Sequence, residues 1–461
     1  MARPAVVVLI DGEHYPPVVV DALRSLACDY EVRGAVFLGG TEKIQAEDLG
    51  AEAERVYGLP VLFGADPVAM LDEAIRRFRP EAVVDLSDEP VVGYRERFRY
   101  ISQALARNVA YVGSDFHFSP PRLERLSTSP SLSIIGTAKR VGKTALSGYM
   151  ARTLQDMLPR PAGSTGVVIV PMGRGGPAQP EVIDGLGTRL SARELLAWSR
   201  QGRHAASDHF EDAALSRVTT VGCRRCGGGM AGQPFFSNVA EGARVANGLN
   251  PSLTIFEGSG AALPPVATDA CLCVAGANQP REYVTGYLGA YRLLLGDVVV
   301  LTMAEEPLVS VEEVRSLVSE VQDLHPGVPV VPLVFRPRVM EPVAGRRVAF
   351  FSTALPVMEP VLSRYLEERW GCRVVLFSTH LSNRRLLRED LDQPAMRGVE
   401  VVLTEIKAAA IDVVAETAER KGLPVVFLDN DPVEVFPARG GALRDACGLL
   451  AELAVRRWRQ G

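Results

Sequence analysis

The sequence predicts an α/β protein built from short buried strands that alternate with helices. The runs "AVVVLI", "GVVIV" and "DVVVL" are continuously apolar, which is typical of strands buried on both faces of a parallel sheet. The 42 glycines and 32 prolines supply the turns that such a fold needs. At about 150 residues per domain, 461 residues predict roughly three domains.

Three blocks of this kind follow one another along the chain. The Pro- and Ser-rich stretch "SPPRLERLSTSPS" separates the first two, and "PRVMEPVAGRR" ends the second. We therefore predict an N-terminal Rossmann-like domain over 1–127, a central parallel-sheet domain over 128–343 and a small C-terminal α/β domain over 344–461.

Charge and composition argue against several classes of protein. The net charge of -5 disfavours a general nucleic-acid binder, which usually carries a basic surface. No apolar run approaches the ~18 residues that cross a bilayer, so no membrane segment is expected. Seven cysteines without a disulfide-like pattern fit a reducing compartment, and the N-terminal run resembles a first strand more than a signal peptide, so we expect a cytoplasmic protein.

A phosphate-binding loop is predicted in "LSIIGTAKRVGKTALSGYM", where an apolar strand meets Gly-Lys-Thr and then a helix. Gly136 and Gly142 let the backbone approach phosphate oxygens, Lys143 would reach the β- and γ-phosphates, and Thr144 would offer its hydroxyl to magnesium. Five residues separate the two glycines instead of four, which is similar to the loop of dethiobiotin synthetase-like ATPases. The predicted nucleotide-binding residues are Gly136, Thr137, Val141, Gly142, Lys143, Thr144 and Ala145.

A magnesium-associated carboxylate is predicted further along. Glu257 follows the apolar run "LTIF" and precedes a Gly-Ser-Gly turn, as in the acidic motif of the same ATPases. We expect Thr144 and Glu257 to hold Mg²⁺, directly or through water. No Asn-Lys-x-Asp or Thr-Lys-x-Asp is present, so ATP is favoured over GTP.

The phosphate acceptor is expected at two glycine-rich stretches that contain arginines. "PMGRGGP" places Arg174 before Gly175 and Gly176, and "GCRRCGGG" contains Arg224 and Arg225. Arginine can grip a phosphate with two hydrogen bonds, whereas a plain connecting turn has no need of it. A surface turn remains the alternative for the first stretch, and a zinc site at Cys223 and Cys226 remains one for the second.

Several other residues are candidates with a local alternative. Lys139 could add positive charge to the site or face solvent, and His14, which follows the first strand, could contact substrate or bond within its turn. The "FST" sequences after two C-terminal strands could form a ligand rim or cap helices, and Lys407 begins a predicted helix. The candidate catalytic residues are Lys143, Arg174 and Lys139. The candidate substrate-binding residues are Arg174, Gly175, Gly176, Arg224, Arg225 and His14.

These motifs together with "IDGEHYPPVV" resemble the cyclic 2,3-diphosphoglycerate synthetase family, which is known from thermophilic methanogens and some bacteria. The resemblance covers essentially the whole chain. It implies a P-loop NTPase-type central sheet flanked by the two other domains. It also implies phosphorylation of 2-phosphoglycerate by ATP to 2,3-diphosphoglycerate, followed by ATP-driven closure to the cyclic pyrophosphate.

Two other functions remain open at this level. The loop and "EGSG" alone also fit a dethiobiotin or amide synthetase-like ligase that activates a carboxylate. A nucleotide-switched regulatory NTPase is a third reading, against which the missing guanine motif counts. A homodimer is expected because two-fold dimers are the commonest soluble oligomers.

Overall fold

The computed structural model describes residues 2–40, 42–43, 52–188, 190–203, 205–436 and 442–460. The chain divides into two compact units, Met1–Arg122 with Pro280–Leu295, and Leu123–Gln279 with Gly296–Gly461. The return of Pro280–Leu295 to the first unit was not predicted. The division into three domains remains a prediction.

The first unit is a parallel sheet with helices. Its strands are β1 (Ala5–Ile10), β2 (Glu31–Phe37), β3 (Val61–Leu62), β4 (Ala82–Asp85), β5 (Ala110–Val112) and β6 (His117–Phe118). Within the elements of this unit that the structure describes, the helices are α1 (Pro16–Leu26), α2 (Ala53–Tyr57), α3 (Pro67–Phe78), α4 (Tyr94–Ala106), α9 (Arg281–Val284) and α10 (Tyr287–Leu295). The strand order β3-β2-β1-β4-β5-β6 begins with the order of Rossmann-like sheets, and only β6 pairs antiparallel to its neighbour.

The second unit contains the remaining elements. Its strands are β7 (Ser131–Gly136), β8 (Gly166–Gly173), β9 (Glu181–Ile183), β10 (Thr219–Cys226), β11 (Phe236–Ser237), β12 (Pro251–Glu257), β13 (Ala270–Gly276), β14 (Val298–Thr302), β15 (Val330–Val339), β16 (Arg347–Phe351), β17 (Arg373–Ser378), β18 (Val401–Thr404) and β19 (Val425–Glu434). Its α-helices are α5 (Lys143–Met157), α6 (Ala192–Arg200), α7 (Asp208–Ser216), α8 (Val239–Gly248), α11 (Val311–Leu324), α12 (Glu359–Trp370), α13 (Arg384–Leu391), α14 (Glu416–Arg420) and α15 (Ala442–Trp458). Short 3₁₀ turns cover Pro356–Met358 and Pro394–Gly398, and a π-helical turn covers Ala410–Ala415.

One large sheet runs through this second unit. Its order is β11-β10-β8-β12-β7-β13-β14-β15-β19-β18-β16-β17, and the strands from β10 to β15 are parallel. The long strand β15 joins the two parts, since Val330–Pro332 face β14 and Leu333–Val339 pair antiparallel with β19. The predicted α/β class with a large parallel sheet is therefore confirmed, and the C-terminal strands extend that sheet.

The apolar strand runs form the core, as their composition predicts. Leu132 and Ile134 of β7 pack in one buried cluster with Leu146 and Met150 of α5 and with Leu450 of α15. These buried contacts hold helix α5 against β7. Among the described residues, no helix combines the length and apolar character needed to span a membrane.

Candidate functional site

The loop between β7 and α5 has the form of a phosphate-binding loop. Gly142 has a left-handed φ of 88°, and a Cβ at this position would overlap the ring of Phe335. Helix α5 begins directly after it, so its first amides face the loop. Lys143 is buried, and its Nζ donates a 2.9 Å hydrogen bond to the carbonyl oxygen of Ala138. Burial lowers the pKa of Lys143 from its ordinary value.

Thr144 and Glu257 meet beside this loop, as the sequence predicts. The Thr144 hydroxyl donates to Oε1 of Glu257 at 2.8 Å, and Glu257 ends β12, the strand next to β7. The other oxygen, Oε2, is buried without a hydrogen-bond partner among the described residues. Burial, and then the charge of Asp208, raise the pKa of Glu257.

Helix α7 adds acidic side chains that the sequence analysis missed. Asp208 and Glu211 line the same cavity as Glu257, and Asp212 is buried with no partner for either carboxylate oxygen among the described residues. Burial raises the pKa of Glu211 to about 8, and burial followed by Glu257 raises that of Asp212. The sequence "DHFED" could have predicted this acidic face, because its three carboxylates are at positions i, i+3 and i+4, which share one face of a helix.

Basic side chains also gather beside the loop. A Cβ on Gly260 would lie 3.0 Å from Nη2 of Arg174 and 3.5 Å from Nη2 of Arg225, so the two guanidinium groups converge there. Burial and then the charge of Arg174 lower the pKa values of both Lys139 and Arg225. In the part of the chain that the structure describes, Lys139 and Arg174 have no ion-pair partner. Such a cluster of positive charges can bind an anion.

The remaining predicted substrate residues are placed as follows. Gly175 lines the cavity with Arg174, and a Cβ on Gly176 would overlap the carbonyl oxygen of Cys223, so this glycine permits close packing of two backbones. Arg225 donates to the carbonyl oxygens of Gly227 at 2.6 Å and Ser259 at 2.7 Å, and Ser259 lines the cavity.

Arg224 and His14 are engaged locally. The guanidinium carbon of Arg224 lies 5.9 Å from the ring centre of Phe236. In the first unit, Nδ1 of His14 lies 2.8 Å from Oδ1 of Asp11, which also accepts from the amide of Glu13. The local hydrogen bond that was the alternative for His14 is therefore present.

The two cysteines of "CRRC" differ in environment. Cys223 is buried and Cys226 is exposed. Within the described ranges, no three His, Cys, Asp or Glu side chains converge as a metal site. A cation at Thr144 and Glu257 would accordingly take further ligands from water or phosphate oxygens, as Mg²⁺ commonly does.

The C-terminal part of the second unit forms one wall of the cavity, which has a volume of about 640 Å³. Lys407 lies in this wall, and its Nζ is 3.2 Å from Oε1 of Glu211. Glu405 accepts from the amide and hydroxyl of Thr353 at 3.0 and 2.8 Å and from Nδ2 of Asn430 at 3.0 Å. Thr353 of the first "FST" lines this cavity, and a ligand rim there stays a prediction.

Family models and relatives of one enzyme family match this chain over nearly its full length. Models of the cyclic 2,3-diphosphoglycerate synthetase N-terminal, P-loop and C-terminal domains match residues 5–119, 131–334 and 339–431. The cyclic 2,3-diphosphoglycerate synthetase of Rubrobacter xylanophilus is 55% identical over 92% of this chain and 93% of its own length. That of Thermococcus gammatolerans is 46% identical over 98% of both chains.

A likeness to solved structures is much weaker. The hydrogenase maturation factor HypB of Archaeoglobus fulgidus is 11% identical, with a TM-score of 0.27 over 45% of this chain and 81% of that chain.

Proposed function

The chain belongs to the cyclic 2,3-diphosphoglycerate synthetase family, and we propose that it uses ATP for two successive steps. In the first, the 3-hydroxyl oxygen of 2-phosphoglycerate attacks the γ-phosphorus of ATP, which yields 2,3-diphosphoglycerate, ADP and a proton. In the second, a further ATP drives the closure of the two phosphates into a cyclic pyrophosphate.

Ring closure needs an activated phosphate, because hydroxide is a poor leaving group. In the proposed route, one phosphate of 2,3-diphosphoglycerate accepts the γ-phosphoryl group of ATP. An oxygen of the other phosphate then attacks the inner phosphorus, and inorganic phosphate leaves. The products of this step are the cyclic compound, ADP and phosphate, so atoms and charge balance.

The observation that carries the proposal is that Lys139, Lys143, Thr144 and Arg174 line one cavity. In the proposal, the loop with Lys143 and Thr144 is the donor half, and Lys139 and Arg174 belong to the acceptor half. Phosphoryl transfer depends mainly on alignment and on neutralisation of charge on the phosphate oxygens. Lys139 and Arg174 form no ion pair with the described residues, and such basic groups next to a phosphate loop suit a small, highly anionic acceptor.

Magnesium fits this site through Thr144 and Glu257. Oε2 of Glu257 is buried and has no hydrogen-bond partner among the described residues, so its burial costs free energy unless a cation or a proton joins it. When bound, magnesium would neutralise charge on the β- and γ-phosphates. Thr144 and Glu257 hold each other in place, so the chain itself sets the position of these two oxygens.

The test is phosphorus NMR of the purified protein with ATP, magnesium and 2-phosphoglycerate. We expect signals of 2,3-diphosphoglycerate and then of the cyclic pyrophosphate. The variant Lys143→Ala should form neither, whereas Lys421→Ala, which changes an exposed lysine, should match the wild type. If phosphoglycerate does not accelerate ADP formation by the wild type, the proposal is wrong, and carboxylate activation by a ligase becomes the function to examine.

Two further properties belong to the proposal. We propose a homodimer, which sedimentation would reveal, and a cytoplasmic location, which the family and the cysteine pattern favour. Neither bears on the chemistry above.

A further inference from the structure

Helix α15 packs on the core through one face and lines a groove with the neighbouring face. The core face includes Leu443, Leu450 and Ala454, which belong to the same buried cluster as residues of β7 and α5. The second face follows the spacing i, i+3, i+4, i+7 and i+11, which places its members on one side of a helix. These members are Gly448, Ala451, Glu452, Val455 and Arg459.

A groove of about 540 Å³ runs along this second face. Its other wall is the end of helix α5, with Met157 and Leu158. A Cβ on Gly448 would lie 3.3 Å from Cε of Met157, so the missing side chain leaves room between the two helices. We call the groove formed by these seven residues the α15 groove.

Large apolar side chains are exposed beside the α15 groove. Met157 is 41% exposed, Leu449 is 37% exposed and Trp458 is 39% exposed. Trp458 follows Ala451 by seven positions, which is about two turns of α15, so both lie on the same side of the helix. A tryptophan and small residues on one helix face offer a protrusion and a recess, and exposed apolar surface of this kind is typical of protein contact sites.

The charges of this face are complementary to those of a second copy of the chain. Glu452 and Arg459 are exposed, lie about two turns apart and form no ion pair with the described residues. When two identical helices pack antiparallel about a two-fold axis, a residue before the axis faces one that lies after it. Glu452 of each copy then faces Arg459 of the other copy, and Trp458 of each faces the recess at Ala451.

A lipid surface is the other occupant that a helix with tryptophan and arginine suggests. It would place Glu452, which lies in the middle of the face, against anionic headgroups. The chain as a whole also has a net charge of -5. The charges therefore favour a second copy over a membrane.

Resting on the homodimer proposed above, we propose that the α15 groove is the two-fold interface between two copies of this chain, with their α15 helices antiparallel. This interface is remote from the phosphate loop, because α5 runs for 15 residues from Lys143 at the loop to Met157 at the groove. At 1.5 Å per residue that distance is about 21 Å. Substitutions in the groove should therefore leave the phosphate loop intact.

Sedimentation velocity of the full chain tests this interface by charge reversal. Glu452→Arg and Arg459→Glu each place like charges at both symmetric contacts, so each should weaken the dimer at least tenfold. An equimolar mixture of the two variants should dimerise as the wild type does, because every contact then joins an arginine to a glutamate. Glu312→Arg, the matched control, makes the same charge change at an exposed residue of α11 and should sediment as the wild type does.

A third variant tests the apolar part of the interface. Trp458→Ser should also weaken the dimer, with an unchanged circular dichroism spectrum as the check that the chain is folded. If all three groove variants dimerise as the wild type does, or if the mixture stays monomeric, the α15 interface is wrong while the homodimer stands.

A monomeric wild type would overturn the interface and the homodimer together. If that monomer also sediments with vesicles of anionic phospholipid, the face belongs to a membrane instead. Neither result bears on phosphoryl transfer, which the NMR experiment tests separately.

Discussion

The hydroxyl of Thr144 donates to Oε1 of Glu257 at 2.8 Å, which ties the first turn of α5 to the end of β12. These two residues are 113 positions apart in the sequence. Their contact joins the nucleotide loop to a carboxylate whose second oxygen is buried and without a partner among the described residues.

The first prediction concerns magnesium at this pair. Thr144→Val removes the hydroxyl while keeping the shape, so we expect kcat to fall on the order of 100-fold and the magnesium concentration for half-maximal rate to rise. Thr144→Ser keeps the hydroxyl and should stay within a few-fold of the wild type. An unchanged magnesium dependence in Thr144→Val would contradict the assigned role.

A second prediction concerns acceptor binding by Arg174. Arg174→Met keeps the length of the side chain but removes the guanidinium, so we expect KM for 2-phosphoglycerate to rise at least tenfold while KM for ATP changes little. Steady-state kinetics with each substrate varied in turn measures both values. Arg193→Met, which changes an exposed arginine of α6, should alter neither. Equal effects on both substrates would assign Arg174 to the nucleotide instead.

The site was predictable where the chemistry is local in sequence. The glycines, Lys143 and Thr144 lie in one stretch, and Glu257 follows a recognisable strand and turn, so each could be predicted before the fold was known. The strand runs also predicted the α/β class, because continuous apolar runs indicate parallel strands. Resemblance of the motifs to one family is confirmed by the relatives.

The parts that escaped prediction depend on tertiary pairing. Strand β15 pairs with β14 on one side and with β19 on the other, which brings Glu405 to the cavity beside Thr353 and Lys407, and nothing in the sequence fixes that strand order. Asp208, Glu211 and Asp212 form an acidic face of α7, but a helix of this composition could equally face solvent. Arg225 donates to the carbonyl oxygen of Ser259, and its contact with substrate stays a prediction.

The third prediction concerns the ion-pair network that joins α5 to the C-terminal strand β19. Oδ2 of Asp429 lies 2.9 Å from Nη1 of Arg152 and 2.6 Å from Nη2 of Arg338. Oδ1 of Asp431 lies 3.3 and 3.0 Å from the same two arginines. The carboxylates differ in burial, because the side chain of Asp429 is 6% exposed and that of Asp431 is 38% exposed.

Asp429→Asn should therefore destabilise the protein by about 1–3 kcal/mol, since it removes the buried counter-ion while Asp431 still pairs with both arginines. Asp431→Asn, the matched control, should cost about 0–1 kcal/mol because water screens its pairs. Thermal unfolding followed by circular dichroism ranks the two variants. Equal losses would mean that burial does not govern this network.

The fourth prediction concerns the pH dependence of stability in the ligand-free protein. Burial raises the pKa of Glu211 to about 8 from an ordinary value of 4.5, although Lys407 opposes the shift. Between about pH 5 and about pH 8 the folded protein then keeps a proton that the unfolded chain releases. This contribution to stability is complete below the ordinary value and is lost as the pH rises through about 8, so the melting temperature should fall over that range.

Replacing the carboxyl group of Glu211 isolates its contribution to the pH dependence of stability from that of the other titratable groups. Glu211→Gln cannot release a proton, so its stability should fall less steeply with pH than that of the wild type, by up to about 1.4 kcal/mol per pH unit. Glu368→Gln changes an exposed carboxylate of α12 and should keep the wild-type slope. Melting temperatures measured in matched buffers across this range give the three slopes directly. Parallel curves for Glu211→Gln and the wild type would show that Glu211 is ionised in the folded cavity, and the acidic face of α7 would then need its charge balanced by Lys407 before any nucleotide binds.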